Sequence, residues 1–354
     1  MESREEKRIA VFILGNGFDL AHGLKTRYTD FLAADPKEGL QKEKLQSNIW
    51  FKHFNEKQKE IGENWFNLEQ EIYNVITKIR DKVKKQVFCE IALADEPSHN
   101  PHKNSELHEF FKQHVISRQY SETKLEEDDF SFSDHQTINK EKTKKEANEL
   151  YSSLRFFVDQ FGNYLSEQLK QPDLTQKQKF LDFLENKILK EYNKIRIVNF
   201  NYTNTFERLY GEYLKNKGII DIMYYHIHGS LDKNNLVLGT QDLPNKDKSS
   251  PFRIFTKKCQ RLNNKDYDNF LNELEETNRK SITFHIIGHS LDEVDHKILN
   301  NILYYSGSEG NRRDINIYRY NDNENLEILK NIEEILQCSY EKRVLSPTPL
   351  KEIF

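Results

Sequence analysis

Four short segments of the sequence place glycine, histidine, asparagine or serine directly after an apolar run. They read GNGFDLAHG (15–23), NFNYTNTFE (199–207), YYHIHGS (224–230) and IIGHSLDEVD (286–295). Glycine lets the backbone turn and approach a ligand, amides and hydroxyls orient water or sugar hydroxyls, and imidazole titrates near neutral pH. The four segments therefore predict a small-molecule site with acid–base chemistry.

The first segment is a candidate phosphate-binding turn. Gly15 and Gly17 free the backbone to approach a ligand, and the amides of Asn16 and Phe18 stand at the start of a helix, where anions bind. A tight turn between a strand and a helix would also explain the glycines. The usual dinucleotide fingerprint does not follow, because no second strand ends in an acidic residue about 20 positions later. This disfavours an ordinary dehydrogenase.

The second segment supplies a candidate catalytic amide. Alternation along a strand puts Asn199 and Asn201 on one face. Thr203 or Asn204 could cap the following helix, but capping does not explain Asn201. Its amide is suited to orienting a water molecule or a ribose hydroxyl.

The third segment supplies a candidate general base. His228 immediately precedes the glycine turn at Gly229, and an imidazole there could accept a proton at neutral pH. A buried, hydrogen-bonded structural histidine is the alternative. His226 and His228 would share a face and could bind a metal ion, but no third ligand lies nearby in the sequence, so we expect no metal.

The fourth segment predicts another ligand-binding turn. Gly288 and Ser290 could approach a ribose or a phosphate. Asp295 fits an ordinary first-turn carboxylate, favoured there by the helix dipole. The turn is thus a stronger candidate than its individual side chains.

The elements around these segments alternate between strand and helix. Strands are predicted at 9–14, 194–200, 219–225, 281–287 and 314–320, with helical periodicity between the later ones. This alternation predicts an α/β fold with a Rossmann-like parallel sheet. In such a sheet ligands bind beyond the carboxyl ends of the strands, where all four segments lie.

Residues 35–192 carry helical patterns with almost no strand signal and predict a large helical insertion. The nucleotide-binding domain is then discontinuous, covering 1–34 and 193–345, and 346–354 form a C-terminal tail. Within the insertion, Trp65 and Glu69 belong to the motif WFNLEQEI. Glu69 could face the pocket, although Trp65 packs more simply as core. The insertion could form a lid or an oligomer interface.

The composition excludes several classes of protein. The 354 residues include 53 Lys and Arg against 57 Asp and Glu, a formal net charge of −4, which gives no long-range field for nucleic acid or anionic lipid. The three cysteines are odd in number and far apart, so neither a disulfide framework nor a cysteine zinc site is expected. No apolar run approaches a membrane span or a signal peptide. We expect a cytoplasmic protein.

Five ordered motifs resemble those of the AbiH-type bacteriophage abortive-infection proteins. They are GNGFDLAHGLKTRYTDFL, WFNLEQEI, NFNYTNTFE, IHGSL and IIGHSLDEVD. More distantly, the chain is similar to sirtuins and to the sirtuin-like NAD hydrolases of antiphage systems. The order of the glycine turn, Asn201, His228 with Gly229, and GHSL at 288–291 carries this likeness. Lys25 and Thr203 depart from the proline and aspartate of that pattern.

The sirtuin likeness implies a function. Asn201 and His228 would be the catalytic pair, and Asp19 would add negative charge near a developing cation. The turns with Gly15, Asn16, Gly17, Phe18, Thr203, Gly229, Gly288 and Ser290 would hold NAD, as substrate and not as a required cofactor. Peptide deacetylation is disfavoured because zinc-ribbon cysteines are lacking.

Three functions follow from the sequence. The leading one is a phage-defence effector that cleaves NAD or a related nucleotide, triggered by a phage component or partner protein and assembled as a homo-oligomer. A nucleotide- or nucleic-acid-binding sensor without turnover is the second. A nuclease toxin is the third, although Asp292, Glu293 and Asp295 only weakly suggest a magnesium site.

Overall fold

The computed structural model describes most of the chain. The described residues are 8–34, 40–61, 67–88, 132–241, 243, 250–276, 282–305, 313–319, 325–336, 342–344 and 348–354. All statements below refer to these residues.

A parallel sheet organises the fold. Its strands within the described residues are β1 (Ile9–Leu14), β2 (Lys194–Asn199), β3 (Asp221–His226), β4 (Ile282–Ile287), β5 (Arg313–Arg319), β6 (Lys342–Val344) and β7 (Thr348–Pro349). The order is β3-β2-β1-β4-β5-β6, with β7 also pairing with β5. Every pairing is parallel. The predicted α/β, Rossmann-like fold with a helical insertion is confirmed.

The register aligns the strand ends that carry the candidate residues. Leu14 pairs with Asn199 on one side and with Ile287 on the other, and Asn199 pairs with His226. Consequently β1, β2, β3 and β4 end at one level. Strand order reverses between β1 and β4, so this edge contains the topological switch point at which such sheets bind ligands.

Helices make up most of the regular structure outside the sheet in the described residues. The α-helices are Asn16–Ala21, Tyr28–Ala33, Leu40–Gln46, Ile49–Ile61, Leu68–Phe88, Phe132–Gln168, Gln178–Phe183, Glu212–Asn216, Lys257–Gln260, Asp266–Glu276, Glu293–Tyr305 and Asn325–Ile335. Two π-helical turns, Leu184–Ile188 and Glu207–Gly211, extend helices next to β2. Short 3₁₀ turns lie at Pro251–Phe255, Arg261–Asn263 and Leu350–Glu352.

Alternate side chains of the strands enter two cores, one on each face of the sheet. On one face Ile9, Val11 and Ile13 of β1 pack with the helices Asp266–Glu276 and Glu293–Tyr305. On the other face the remaining β1 side chains, Ala10, Phe12 and Leu14, join an aromatic-rich core. Burial on both faces explains why β1 reads as an unbroken apolar run.

The chain divides into two compact units. The first contains residues 1–27, 162–237 and 261–354, and therefore the whole sheet. The second contains residues 28–161 together with 238–260. Tyr28–Ala33, Leu40–Gln46, Ile49–Ile61 and Leu68–Phe88 are helices of this second unit.

The tail packs into the aromatic core of the first unit. After β7, Leu350 and Ile353 are buried, and the ring of Phe354 stacks on Phe180 with centroids 4.8 Å apart. The segment predicted as an extended tail thus contains a short strand and a 3₁₀ turn. Among the described helices, none is both long and apolar enough to cross a bilayer.

Candidate functional site

The turns that follow β1 and β4 pack directly against each other. The amide of Gly15 donates to the carbonyl of Ile287 (3.0 Å), and that of Gly17 donates to the carbonyl of Gly288 (2.8 Å). A Cβ on Gly17 would lie 2.7 Å from Gly288 Cα, and Gly288 has a φ of +63°. Close approach of two backbones therefore accounts for these glycines. Ligand binding by this turn remains a prediction.

The other groups of this turn have partners as well. The amide of Phe18 donates to the Gly15 carbonyl (3.0 Å), and the Phe18 ring is buried among aromatic side chains such as Phe180 and Phe206. The exposed Asn16 accepts a 2.5 Å hydrogen bond from the Thr26 hydroxyl. The Phe18 side chain thus contributes to the core, whereas Asn16 faces solvent.

The segment after β2 is folded by its own asparagines. Asn199 accepts from the amide of Asn201 (2.9 Å) and donates to the carbonyl of Thr203 (2.8 Å). The side chain of Asn201 donates to the carbonyl of Gly15 (3.0 Å). Asn201 therefore links the ends of β1 and β2 through Nδ2. Its Oδ1 is the atom that could accept a hydrogen bond from a ligand or a water molecule.

Asp19 is buried next to this segment. The residue is 1% exposed, and its Oδ2 accepts from the Thr203 hydroxyl at 2.5 Å. Burial raises the pKa of Asp19 to about 6, while hydrogen bonds from Thr203 and its neighbours oppose the shift. Asp19 can therefore exchange a proton near neutral pH.

His228 pairs with a carboxylate from the far side of the switch point. Its Nε2 lies 3.0 Å from Asp295 Oδ1, and both residues are less than 9% exposed. His228 follows β3 and Asp295 follows β4, three strand positions away, or about 14 Å at the usual spacing. The pair therefore spans the carboxyl ends of β2 and β1.

A second histidine faces the same carboxylate. His289 Nδ1 accepts from the amide of Leu291 (2.9 Å), which leaves the proton of the neutral ring on Nε2, 4.0 Å from Asp295 Oδ2. The Phe200 ring meets both imidazoles edge-on, with centroids 5.2 Å from His228 and 4.5 Å from His289. The result is a buried histidine–aspartate–histidine cluster beside an aromatic ring.

His226 belongs to a different pair. Its Nε2 lies 2.8 Å from Glu207 Oε1, and its backbone contacts Asp266 and Asn264. The strand alternation expected to put His226 and His228 on one face does not reach His228, because β3 ends at His226 and residues 227–228 form a turn. The two histidines are therefore only two positions apart in the sequence but pair with different carboxylates, His226 with Glu207 and His228 with Asp295.

Two further residues were predicted to bind the ligand, Gly229 and Ser290. The contacts of Gly229 show a local backbone role, and those of Ser290 show only a hydrogen bond to its carbonyl. Gly229 has a φ of +81°, and a Cβ there would overlap the carbonyl oxygen of Asn235. Ser290 is exposed, and its carbonyl accepts from Asn331 at 3.4 Å. In the part of the chain that the structure describes, no three His, Cys, Asp or Glu side chains gather in a way that could hold a metal ion.

Comparison with known proteins decides the family. The model of the family described as "Bacteriophage abortive infection AbiH" matches residues 11–316. The chain belongs to this family. No curated protein and no solved structure matches it. The AbiH resemblance predicted from the motifs is confirmed, whereas the likeness to sirtuins remains a prediction.

The AbiH motif that begins at Trp65 also contains buried charge. Glu69 pairs with Lys257 at 2.7 Å within the second unit, and Lys257 is 1% exposed. Asn67 caps the helix by accepting from the amide of Gln70 (3.0 Å). Trp65 itself lies outside the described residues.

Two members of the candidate site in this AbiH-family chain do not follow from the sequence. The sequence pattern predicts His289 only as part of a turn, and Asp295 only as a first-turn carboxylate. The available signal is that each histidine is next to a turn glycine: His289 directly follows Gly288, the first residue after β4, and His228 directly precedes Gly229. Nothing in the spacing identifies Asp295 as the partner of His228, since the two are 67 positions apart.

Proposed function

We propose that this AbiH-family chain is a phage-defence effector that hydrolyses the N-glycosidic bond of NAD or a related nucleotide. The observation that carries the proposal is the buried His228–Asp295 pair at the switch point of a Rossmann-ordered sheet. A carboxylate that holds one imidazole nitrogen fixes the ring and its tautomer, as a general base requires.

The chemistry assigns each side chain a role. Asp295 accepts the Nε2 proton of His228, so that Nδ1 is the basic nitrogen. A water attacks the anomeric carbon of the ribose as the carbon–nitrogen bond breaks, and nicotinamide leaves as a neutral molecule. The proton of the water passes to His228, and the second product is ADP-ribose.

Two further groups assist in this proposal. Asn201, anchored through its Nδ2 to the Gly15 carbonyl, presents Oδ1 to the attacking water. Asp19, when ionised, stabilises the positive charge that develops on the sugar, as carboxylates do in glycoside hydrolysis. The reaction needs no resident cofactor. We further propose that the protein acts in the cytoplasm as a homo-oligomer after a phage-derived or partner-protein trigger.

Nicotinamide release from NAD by the purified protein, alone and with phage lysate, tests the proposal. We expect His228→Ala and Asp295→Asn to lower the rate at least a hundredfold, the latter because an amide would donate to Nε2 and reverse the tautomer. Asp182→Asn, at an exposed position of the helix Gln178–Phe183, is the matched control. Equal rates in all variants would reject the residue assignment, and no release under any condition would reject the activity.

A non-catalytic nucleotide sensor is the second candidate. It is favoured by the deep burial of Asp19, His228 and His289, because ligand-linked opening of such a site could itself be the signal. A nucleotide that co-purifies intact and survives prolonged incubation would favour the sensor.

A further inference from the structure

Three buried atoms on the Glu207 side of the site have no hydrogen-bond partner among the described residues. They are Asp19 Oδ1, Asn204 Oδ1 and His226 Nδ1. Buried polar atoms in folded proteins are nearly always hydrogen-bonded, so each such atom calls for an explanation. None of the three belongs to the His228–Asp295 pair.

When the His226 ring is neutral and Asp19 is ionised, the three atoms share one chemistry, since all are then acceptors. Asp19 Oδ1 is a carboxyl oxygen that accepts when ionised. Asn204 donates through Nδ2 to Asp232 Oδ2 at 2.7 Å, which leaves Oδ1 as its acceptor. His226 faces Glu207 through Nε2 at 2.8 Å, so the neutral ring carries its proton there and presents a lone pair at Nδ1. A matching ligand must present donors.

The three atoms also come from neighbouring elements. Asp19 follows β1, Asn204 follows β2 and His226 ends β3, and these strands are consecutive in the sheet. The Thr203 hydroxyl donates to Asp19, and the Thr205 hydroxyl donates to that of Thr203 at 3.2 Å. The Glu207 side chain, which pairs with His226, is 27% exposed, whereas that of His226 is 6% exposed.

We infer that Asp19 and His226 bind the vicinal hydroxyls of a ribose, so that the site selects ribonucleotides over deoxyribonucleotides. This inference rests on the proposed nucleotide function. A phosphate does not fit, because it would bring further acceptors beside a carboxylate. Two hydroxyls supply the missing donors, with one donated to Asp19 Oδ1 and the other to His226 Nδ1. Asn204 Oδ1 is available to the rest of the ligand.

Calorimetric titration of the full chain tests this inference by comparing ATP with 2′,3′-dideoxy-ATP, which lacks both ribose hydroxyls. ADP-ribose and NAD are titrated as further ribose-containing probes. For wild type we expect ATP to bind at least tenfold more tightly than its dideoxy analogue. Loss of a hydrogen bond to a charged acceptor typically weakens binding by at least this factor.

Matched variants of His226 separate binding from folding. His226→Gln keeps a donor near the position of Nε2 and removes Nδ1, whereas His226→Asn keeps an acceptor near the position of Nδ1. We expect discrimination to fall below about threefold in His226→Gln and Asp19→Asn, and to persist in His226→Asn and in the surface control Asp182→Asn. Circular dichroism confirms that each variant is folded.

The outcomes separate this inference from the proposed function. Discrimination that is lost as expected, without any nicotinamide release by wild type, supports the ribose site and rejects the hydrolase. Equal affinity for ATP and its dideoxy analogue, unchanged discrimination in both loss variants, or no binding of any probe overturns the ribose site, whatever the nicotinamide assay shows.

Discussion

Replacing Asp19 by asparagine should remove the pH dependence that this carboxyl imposes on stability. Burial raises its pKa from 3.8 to about 6. The folded protein therefore keeps this proton to a higher pH than the unfolded chain does, and unfolding releases a proton between about pH 4 and 6. The free energy of unfolding consequently falls as the pH rises through this interval.

The size of the effect follows from the shift. The pKa shift corresponds to roughly 3 kcal/mol in all, of which about 2.5 kcal/mol is lost between pH 4 and pH 8, because the unfolded carboxyl is already more than half ionised at pH 4. The asparagine side chain does not titrate, so the difference between Asp19→Asn and wild type should grow by about 2.5 kcal/mol from pH 4 to pH 8 in favour of the variant. In the folded variant, the amide atom at the position of Asp19 Oδ1 would be buried without a hydrogen-bond partner among the described residues. This lowers the stability of the variant by an amount that does not depend on pH.

Urea unfolding of both proteins at pH 4, 5, 6, 7 and 8 measures this difference. Comparing slopes cancels the pH-independent cost and the other titrating groups, which the two proteins share. Asp182→Asn removes an exposed carboxylate and should show no comparable slope. A difference for Asp19→Asn that stays flat, or that shrinks towards pH 8, would refute the reasoning that burial dominates at Asp19.

Three further changes test other parts of the fold. Gly288→Ala should destabilise the protein by about 3 kcal/mol or more, because its φ is +63° and the new Cβ would lie 2.5 Å from a backbone nitrogen; Gly23→Ala, with φ +85° and open space, should cost about 1 kcal/mol. Lys257→Met should cost about 3–5 kcal/mol by leaving the Glu69 carboxylate buried, and adding Glu69→Leu should restore most of it. Burial lowers the pKa of His285 to about 3, so the ring stays neutral in the folded state while it gains a proton in the unfolded chain below about pH 6.5. The free energy of unfolding should therefore fall by about 2 kcal/mol between pH 7 and pH 5, and His285→Phe should remove this loss.

Each of these changes has an outcome that contradicts it. If thermal unfolding showed the same loss of stability in Gly288→Ala and Gly23→Ala, close packing of the turns after β1 and β4 would not be what requires Gly288. A double variant no more stable than Lys257→Met would deny coupling to Glu69. Equal acid sensitivity of His285→Phe and wild type in urea titrations would show that other groups dominate between pH 7 and 5.

The sheet was predictable because its central strands β1, β2 and β4 are almost wholly buried and therefore read as runs rich in apolar residues. The strand predicted at 9–14 matches β1, and the others lie within about two residues of β2 to β5. The strands β6 and β7 escape prediction because runs of three and two residues carry no periodic signal. Helix-period patterns identified the helical insertion.

The site was only partly predictable. Location followed from topology, since polar residues directly behind parallel strands must share an edge. Partners did not follow, because His228 pairs with Asp295 and His226 with Glu207 through tertiary packing that no sequence spacing encodes. Close packing of the turn glycines against each other was not predicted either, since their spacing suggested only an approach to a ligand.

The placement of β1 at the centre of the sheet has a consequence during synthesis. Both of its neighbours come much later in the chain, β2 at Lys194–Asn199 and β4 at Ile282–Ile287. At ordinary elongation rates the ribosome needs roughly a quarter of a minute to a minute to reach β4 after completing β1. Until then the nascent chain lacks His289 and Asp295. Any fragment that ends before β4 therefore lacks one neighbour of β1 and the carboxylate that pairs with His228.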